Sequence, residues 1–319
     1  ALTSIGDMPK LKKIGKQAFV GCSSLESVGD LSSVTSIEAL AFQGCSKLAN
    51  IGNMPKLETL GEQAFYYCNS LAHVGDLSSV TSIGYNAFQG CSALESVGDL
   101  NSVENIGSNA FAGCASLKSI GDLPNLISLG VGAFSYSSIY DTDGNWVGEG
   151  YCIALQSIGN MPRLEKIRAE TFLGCSSLKN MGDLSNVTSI EDNAFKDCSS
   201  LKKLDSLSSV TIIGDGAFQA CHSLERLDSL NSVTEIGYWA FQDCSSLTSV
   251  GSLNKVTFIA GRAFYGCTAL ETLGDFRNVY RIGEETFSNC PSLTLRVLPN
   301  SYVEDYAKSN NIPYTYIED

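Results

Sequence analysis

Residues 18–37 read AFVGCSSLESVGDLSSVTSI, and most of the chain is a variation on them. Their phenylalanine returns every 23 residues as Phe19, Phe42, Phe65, Phe88, Phe111 and Phe134, then as Phe172, Phe195, Phe218, Phe241, Phe264 and Phe287. One step, from Phe134 to Phe172, is 15 residues too long. A unit this short cannot bury its apolar face without neighbours, so a fixed period of this length signals coils stacked in a solenoid.

Each coil can be read outward from its Phe. The preceding residue is Ala in ten repeats and Thr in two (Thr171 and Thr286). Leu stands six residues after it, and apolar residues follow at nine, twelve, fifteen and eighteen, as in Val28, Leu31, Val34 and Ile37. A spacing of threes is neither the alternation of a strand nor the 3.6 of a helix for long. Each segment is therefore short and ends in a bend. The β-branched SVTSI segments predict short strands stacked in a parallel ladder, and the stretch from Ala-Phe to Cys predicts a helical or 3₁₀ turn. Gly four before Phe (Gly15, Gly61, Gly84) and ten after it (Gly29 to Gly274) predict left-handed backbone at both places.

The 319 residues exceed a one-domain length, but a solenoid is one body that lengthens coil by coil. With 44% hydrophobic residues a continuous core is attainable. A net charge of −13 argues against nucleic acid and against an anionic membrane surface. No apolar run reaches the roughly 18 residues of a spanning helix, so no membrane insertion is expected.

All twelve cysteines share one address, three residues after the Phe, with Cys152 joining them once the 15 extra residues are subtracted. They read as buried thiols serving as small hydrophobes. A disulfide ladder would need Cβ vectors that converge, and in-register neighbours keep theirs parallel. A metal site would need ligands around a tetrahedron, and one ligand per coil forms a line. No metal and no cofactor is expected. Two histidines in different phases, His73 and His222, cannot serve one nucleophile, and no phosphate loop or nucleotide fingerprint is present. The chain is not read as an enzyme.

With these motifs in view, AFxGCSSLxSV followed by SVTSIG closely resembles the BspA-type leucine-rich repeat, found in surface proteins of bacteria and some protozoa. The tail SYVEDYAKSNNIPYTYI is similar to that family's closing segment. Where the family usually has Ile-Pro before SVTSIG, this chain has Asp30-Leu31 or Asn53-Met54, with prolines such as Pro55 one position later. The resemblance implies a curved, β-rich α/β leucine-rich-repeat solenoid of about twelve coils. It also implies an extracellular or cell-surface location and adhesion to host matrix proteins.

The array is assigned to residues 1–297, beginning in mid-repeat, and a helix-strand cap to residues 298–319. The extra residues, SYSSIYDTDGNWVGEGYC, carry Asp143-Gly144 between apolar pairs, which signals a hairpin at about 136–151. Asp141, Asp143 and Asn145 imitate the start of a calcium loop, but Trp146 and Cys152 stand where its Gly and Glu belong. A ladder of Asp7, Asp30, Asp76, Asp99, Asp122, Asp183 and Asp275 suits Asx turns better than a cation groove, since Asn and Ser share the phase (Asn53, Ser206, Ser229).

Candidate ligand-binding residues are aromatics outside the core phases, Tyr140, Trp146, Tyr238 and Trp239, and a basic strip of Lys179, Lys202, Lys203 and Arg226. The expected function is a non-enzymatic, adhesin-like surface protein, a monomer holding a protein or glycan partner. A passive spacer for an upstream domain is the alternative. A hydrolase of surface sugars would need paired carboxylates about 5–9 Å apart in a cleft.

Overall fold

A computed structural model describes residues 2–140, 146–205, 207–227 and 230–317. The side chains of Ile139, Tyr140 and Val147 lie outside that description, as do the calcium-loop mimic at 141–145 and the ladder positions Ser206 and Ser229. The chain divides into two compact units, Ala1–Leu164 with Thr171–Cys175 and Glu165–Glu170 with Ser176–Asp319. Each is a stack of coils of the expected solenoid kind.

In the first unit, strands Lys13–Ile14, Ser36–Ile37, Thr59–Leu60, Ser82–Ile83, Asn105–Ile106 and Ser128–Leu129 lie side by side and parallel. The register follows the sequence period, Ile14 opposite Ile37 and Ile37 opposite Leu60. A second row holds Ser4–Ile5, Ser27–Val28, Asn50–Ile51 and His73–Val74. Where the insertion intervenes, Ile120 still faces Ile158, so the extra residues loop out without shifting the coil. In the second unit, strands Lys166–Ile167, Ser189–Ile190, Ile212–Ile213, Glu235–Ile236, Phe258–Ile259 and Arg281–Ile282 repeat the first row. Most of these strands are two residues long because every third residue must turn inward.

Buried columns run behind the strands. In the first unit Phe19, Phe42, Phe65, Phe88, Phe111, Phe134 and Phe172 stack with centroids 5.2–5.5 Å apart. In the second, Phe195, Phe218, Phe241, Phe264 and Phe287 do the same at 5.1–5.7 Å. None of the twelve cysteines, all of them described, is in a disulfide. Thiols within each unit point at the Phe carbonyl one coil back: Cys45 Sγ is 3.1 Å from Phe19 O, Cys91 3.1 Å from Phe65 O and Cys244 3.1 Å from Phe218 O. That carbonyl also accepts the N–H of its own coil's Cys, as Cys68 N–H donates to Phe65 O at 3.1 Å. Both lone pairs of a buried carbonyl are thereby used, which gives the thiol a polar task beyond filling space.

The Ala-Phe-to-Cys segment explains the third side of the coil. Alternate N–H groups close i→i+3 turns, as in Cys45 to Phe42 at 3.1 Å, while the ones between reach the next coil, as in Phe42 to Ala64 O at 2.8 Å. The turns have the bond pattern of a 3₁₀ helix, but a residue with positive φ separates them, so no helix propagates. These left-handed residues stand two before and two after the Phe, for example Gln17 (58°), Leu40 (64°), Trp239 (57°) and Gly44 (70°).

The two glycine positions named from the sequence are thus corrected. Among glycines four before Phe none has positive φ, and among those ten after only Gly251 does. At several of them the demand is steric: a Cβ on Gly61 would stand 2.6 Å from the backbone of Glu38 and Ala39 in the coil before, and one on Gly130 2.3 Å from Ser108 N. The coils approach too closely at those glycines for a Cβ, whereas one on Gly15, Gly52 or Gly121 would meet nothing closer than 3.9 Å.

Asx turns occupy the Asp ladder as expected. Ser32 N–H donates to Asp30 Oδ1 at 2.8 Å, Asn101 N–H to Asp99 at 2.8 Å and Ser185 N–H to Asp183 at 2.9 Å. Asp7 instead accepts the N–H of Asp30 at 2.9 Å, and Asp122 that of Asn160 at 2.8 Å.

At the end of the second unit, helix Tyr302–Ser309 sets Tyr306 edge-on against Phe287, with centroids 6.1 Å apart. Strand Tyr314–Tyr316 pairs in parallel with Thr294–Val297. Glu304 joins the two pieces. Its carboxylate meets Lys308 Nζ at 2.7 Å and accepts from Tyr316 Oη at 2.8 Å and Asn300 N–H at 2.6 Å. These partners, Lys308 foremost, hold it down to about 2.

Candidate binding surface

Two exposed or half-exposed residues stand between the buried Leu and the next apolar position of a coil, and the register decides which of them meet. In the second unit Lys203 lies opposite Arg226 in paired strands, and Glu225 N–H donates to Lys202 O at 2.9 Å. Two adjacent columns result, with Lys202 above Glu225 in one and Lys203 above Arg226 in the other. The four basic candidates, Lys179, Lys202, Lys203 and Arg226, line one groove of about 570 Å³ across three successive coils. Within it Lys202 is 3.5 Å from Glu225, and Lys203 is 2.7 Å from Asp205. Both pairs are at least half exposed, so each contributes about 0–1 kcal/mol.

Tyr238 and Trp239 form an exposed pair, 45% and 42% accessible, with ring centroids 5.7 Å apart. Tyr238 is anchored by its own N–H, which donates to Asp215 at 2.7 Å. The Tyr238 ring lies against Gly261, one coil on, where a Cβ would stand 3.5 Å from it.

The expected hairpin is present as antiparallel strands Ser137–Tyr140 and Trp146–Gly150. Trp146 is 60% exposed, and Tyr140 faces it in the register. The hairpin folds back over the turn side of its own unit. Tyr67 Oη donates to Ser138 O, and Gln89 Nε2 donates to Ser137 Oγ at 3.2 Å. A Cβ on Gly113 would strike Ser137 at 2.5 Å, so glycine there is what admits the hairpin. A cleft of about 350 Å³ remains beside it, walled by Ser137, Ser138 and Gly150 and floored by Tyr67, Gly90 and Gly113.

Tyr67 and Tyr151, two further aromatics outside the core phases, do not stand free at the surface. Their rings instead lie over Gly90 and Gly174 of the following coil. The signal was present, since Tyr67 takes the place that Gly44 and Gly90 hold in neighbouring coils, in the coil that the hairpin reaches.

Among the described residues no group of three or more His, Cys, Asp or Glu side chains is placed to hold a metal ion. None of the described helices is long and apolar enough to cross a membrane.

Comparison with known proteins bears on the same features. The family model of the BspA type leucine rich repeat region matches residues 3–141 and 165–294, in six copies. A leucine-rich repeat protein from Bacteroides ovatus ATCC 8483 is 25% identical with a TM-score of 0.71, over 99% of this chain and 84% of that one. A leucine rich cell surface protein from Faecalibacterium prausnitzii A2-165 is 27% identical with a TM-score of 0.51, over 96% of this chain and 81% of that one. No curated protein matches. With its Phe and Cys columns in a 23-residue register and the family model matched on both sides of the insertion, the chain belongs to the BspA-type leucine-rich repeat family.

Proposed function

We propose that this chain is a non-enzymatic, adhesin-like binding protein of the cell surface, a monomer that holds a protein or glycan partner on the exposed positions of its coils. The observation that carries the reading is the split between invariant buried columns and exposed strand positions that differ from coil to coil and gather into one polar groove. The columns fix the backbone, which leaves those side chains free to specialise, as is usual on the binding faces of repeat arrays. Similarity to a leucine rich cell surface protein supports the location. In the same reading residues 298–319 close the array, since Tyr306 covers the last ring of the Phe column.

The test is a screen of the intact chain against immobilised host matrix proteins and a glycan array, repeated with residues 137–150 deleted. Specific partners are expected for the intact chain, retained where the groove is the site and lost where the hairpin is. A folded chain that captures nothing on either surface contradicts the reading and leaves a passive spacer.

A further inference from the structure

Resting on that binding reading, we propose that the groove lined by Lys179, Lys202, Lys203 and Arg226 is a site for an acidic polysaccharide, a sugar chain carrying sulfate or carboxylate groups. The four cations lie on a diagonal. Lys179 and Lys202 occupy one column, Lys203 and Arg226 the next, and Lys202 and Lys203 are neighbours in the chain. Coils about 4.8 Å apart and residues about 3.3 Å apart spread positive charge along an oblique line rather than at a point. A linear polyanion with repeated charges fits such a line; a single phosphate would leave most of it unused. The groove's volume, about 570 Å³, lies within the ~300–1,000 Å³ usual for ligand clefts.

The other lining groups choose between sugar and peptide. Asn180, Ser200 and Ser223 add an amide and two hydroxyls, and Glu225 puts a carboxylate among the cations. A carboxylate accepts hydrogen bonds and donates none, so the ligand must bring donors of its own. Sugar hydroxyls supply them beside each anionic group, whereas a run of acidic side chains would meet Glu225 with like charge. The pairs of Lys202 with Glu225 and Lys203 with Asp205 are solvent-screened, so an incoming anion displaces them cheaply. Lys179 has no ion-pair partner among the described residues. On a chain of net charge −13 such a strip is local, and it draws anions only within about a Debye length of 8–10 Å.

Calorimetric titration at low and physiological salt, with a heparin hexasaccharide, a hyaluronan hexasaccharide and a hexaglutamate peptide, tests this. The intact chain is expected to bind at least one sugar, more weakly as salt rises, and to bind the peptide less well. Binding of heparin alone assigns sulfate, and equal binding of hyaluronan assigns the carboxylate. Lys202→Ala with Lys203→Ala is expected to weaken binding about tenfold, at roughly threefold per exposed cation. Lys10→Ala with Lys12→Ala, in the other lysine-rich stretch, is expected to leave it unchanged. All four side chains are exposed, so thermal unfolding of both variants should match the parent. Equal loss in the two variants, undiminished binding by the first, or tighter binding of the peptide overturns the proposal. So does an intact chain that binds neither sugar, and partners found in the matrix and glycan screen would then still uphold the broader reading.

Discussion

Raised from pH 8 under reducing conditions, the protein is expected to unfold with midpoints between about pH 9 and 12, the first unit by about pH 10.6. The cause is the cysteine column. Burial holds Cys68, Cys91, Cys114, Cys152, Cys175, Cys221, Cys244 and Cys267 in the neutral form, with Cys152 pushed up to about 12. In the unfolded chain a thiol releases its proton near 8.5. Below that pH both states are protonated and the thiols cost nothing. Above it the unfolded state binds fewer protons than the folded one, so stability falls with rising pH until the folded thiols ionise too.

Each buried thiol removes about 1.4 kcal/mol per pH unit in this window. Five of the eight belong to the first unit and three to the second. The slopes are therefore about 7 and 4 kcal/mol per pH unit, against a total stability of roughly 5–15 kcal/mol. Near-UV circular dichroism followed along the titration checks this. A signal unchanged at pH 11 contradicts the burial of the column, and replacing Cys91 and Cys114 by Ala should move the first transition to higher pH.

The second large effect is on the ring stack. Phe111→Ala is expected to cost about 3–5 kcal/mol, because a fully buried ring is replaced by a cavity between rings that cannot close without breaking register. At about 2–4 °C per kcal/mol for a unit of this size, its melting temperature should fall by roughly 6–20 °C. Phe19, at the start of the column and only partly buried, should cost distinctly less when truncated. Equal losses at the two positions, or a change under about 1 kcal/mol at Phe111, would mean that the rings do not form a load-sharing column.

How much of this the chain announces beforehand depends on what each residue answers to. Phe65, Cys68 and Leu71 are fixed by burial, and burial imposes a period that can be counted. Asp30 and Asp99 are fixed by a local donor two residues on, which is equally visible. The convergence of the basic residues is also arithmetic, since 23 separates Lys179 from Lys202 and Lys203 from Arg226. The glycines mislead because their composition does not distinguish positive φ from close approach. Here Leu40 and Trp239 take the left-handed backbone, under the pull of hydrogen bonds to the next coil, while Gly61 and Gly130 yield space. The docking of the hairpin on Tyr67 and Gln89 depends on contacts between residues 48 to 71 apart in the chain, for which no periodic signal exists.

Alkylation of each cysteine in the native protein at pH 8, resolved by peptide mass spectrometry, bears most directly on the claim that successive coils stand in register. Cys22 and Cys290, the first and last cysteines of the sequence and only partly buried, should react first. The buried thiols between them should react only as fast as their coils open. Fast, scattered labelling of interior thiols such as Cys91 and Cys114, ahead of the two at the ends, would contradict the account.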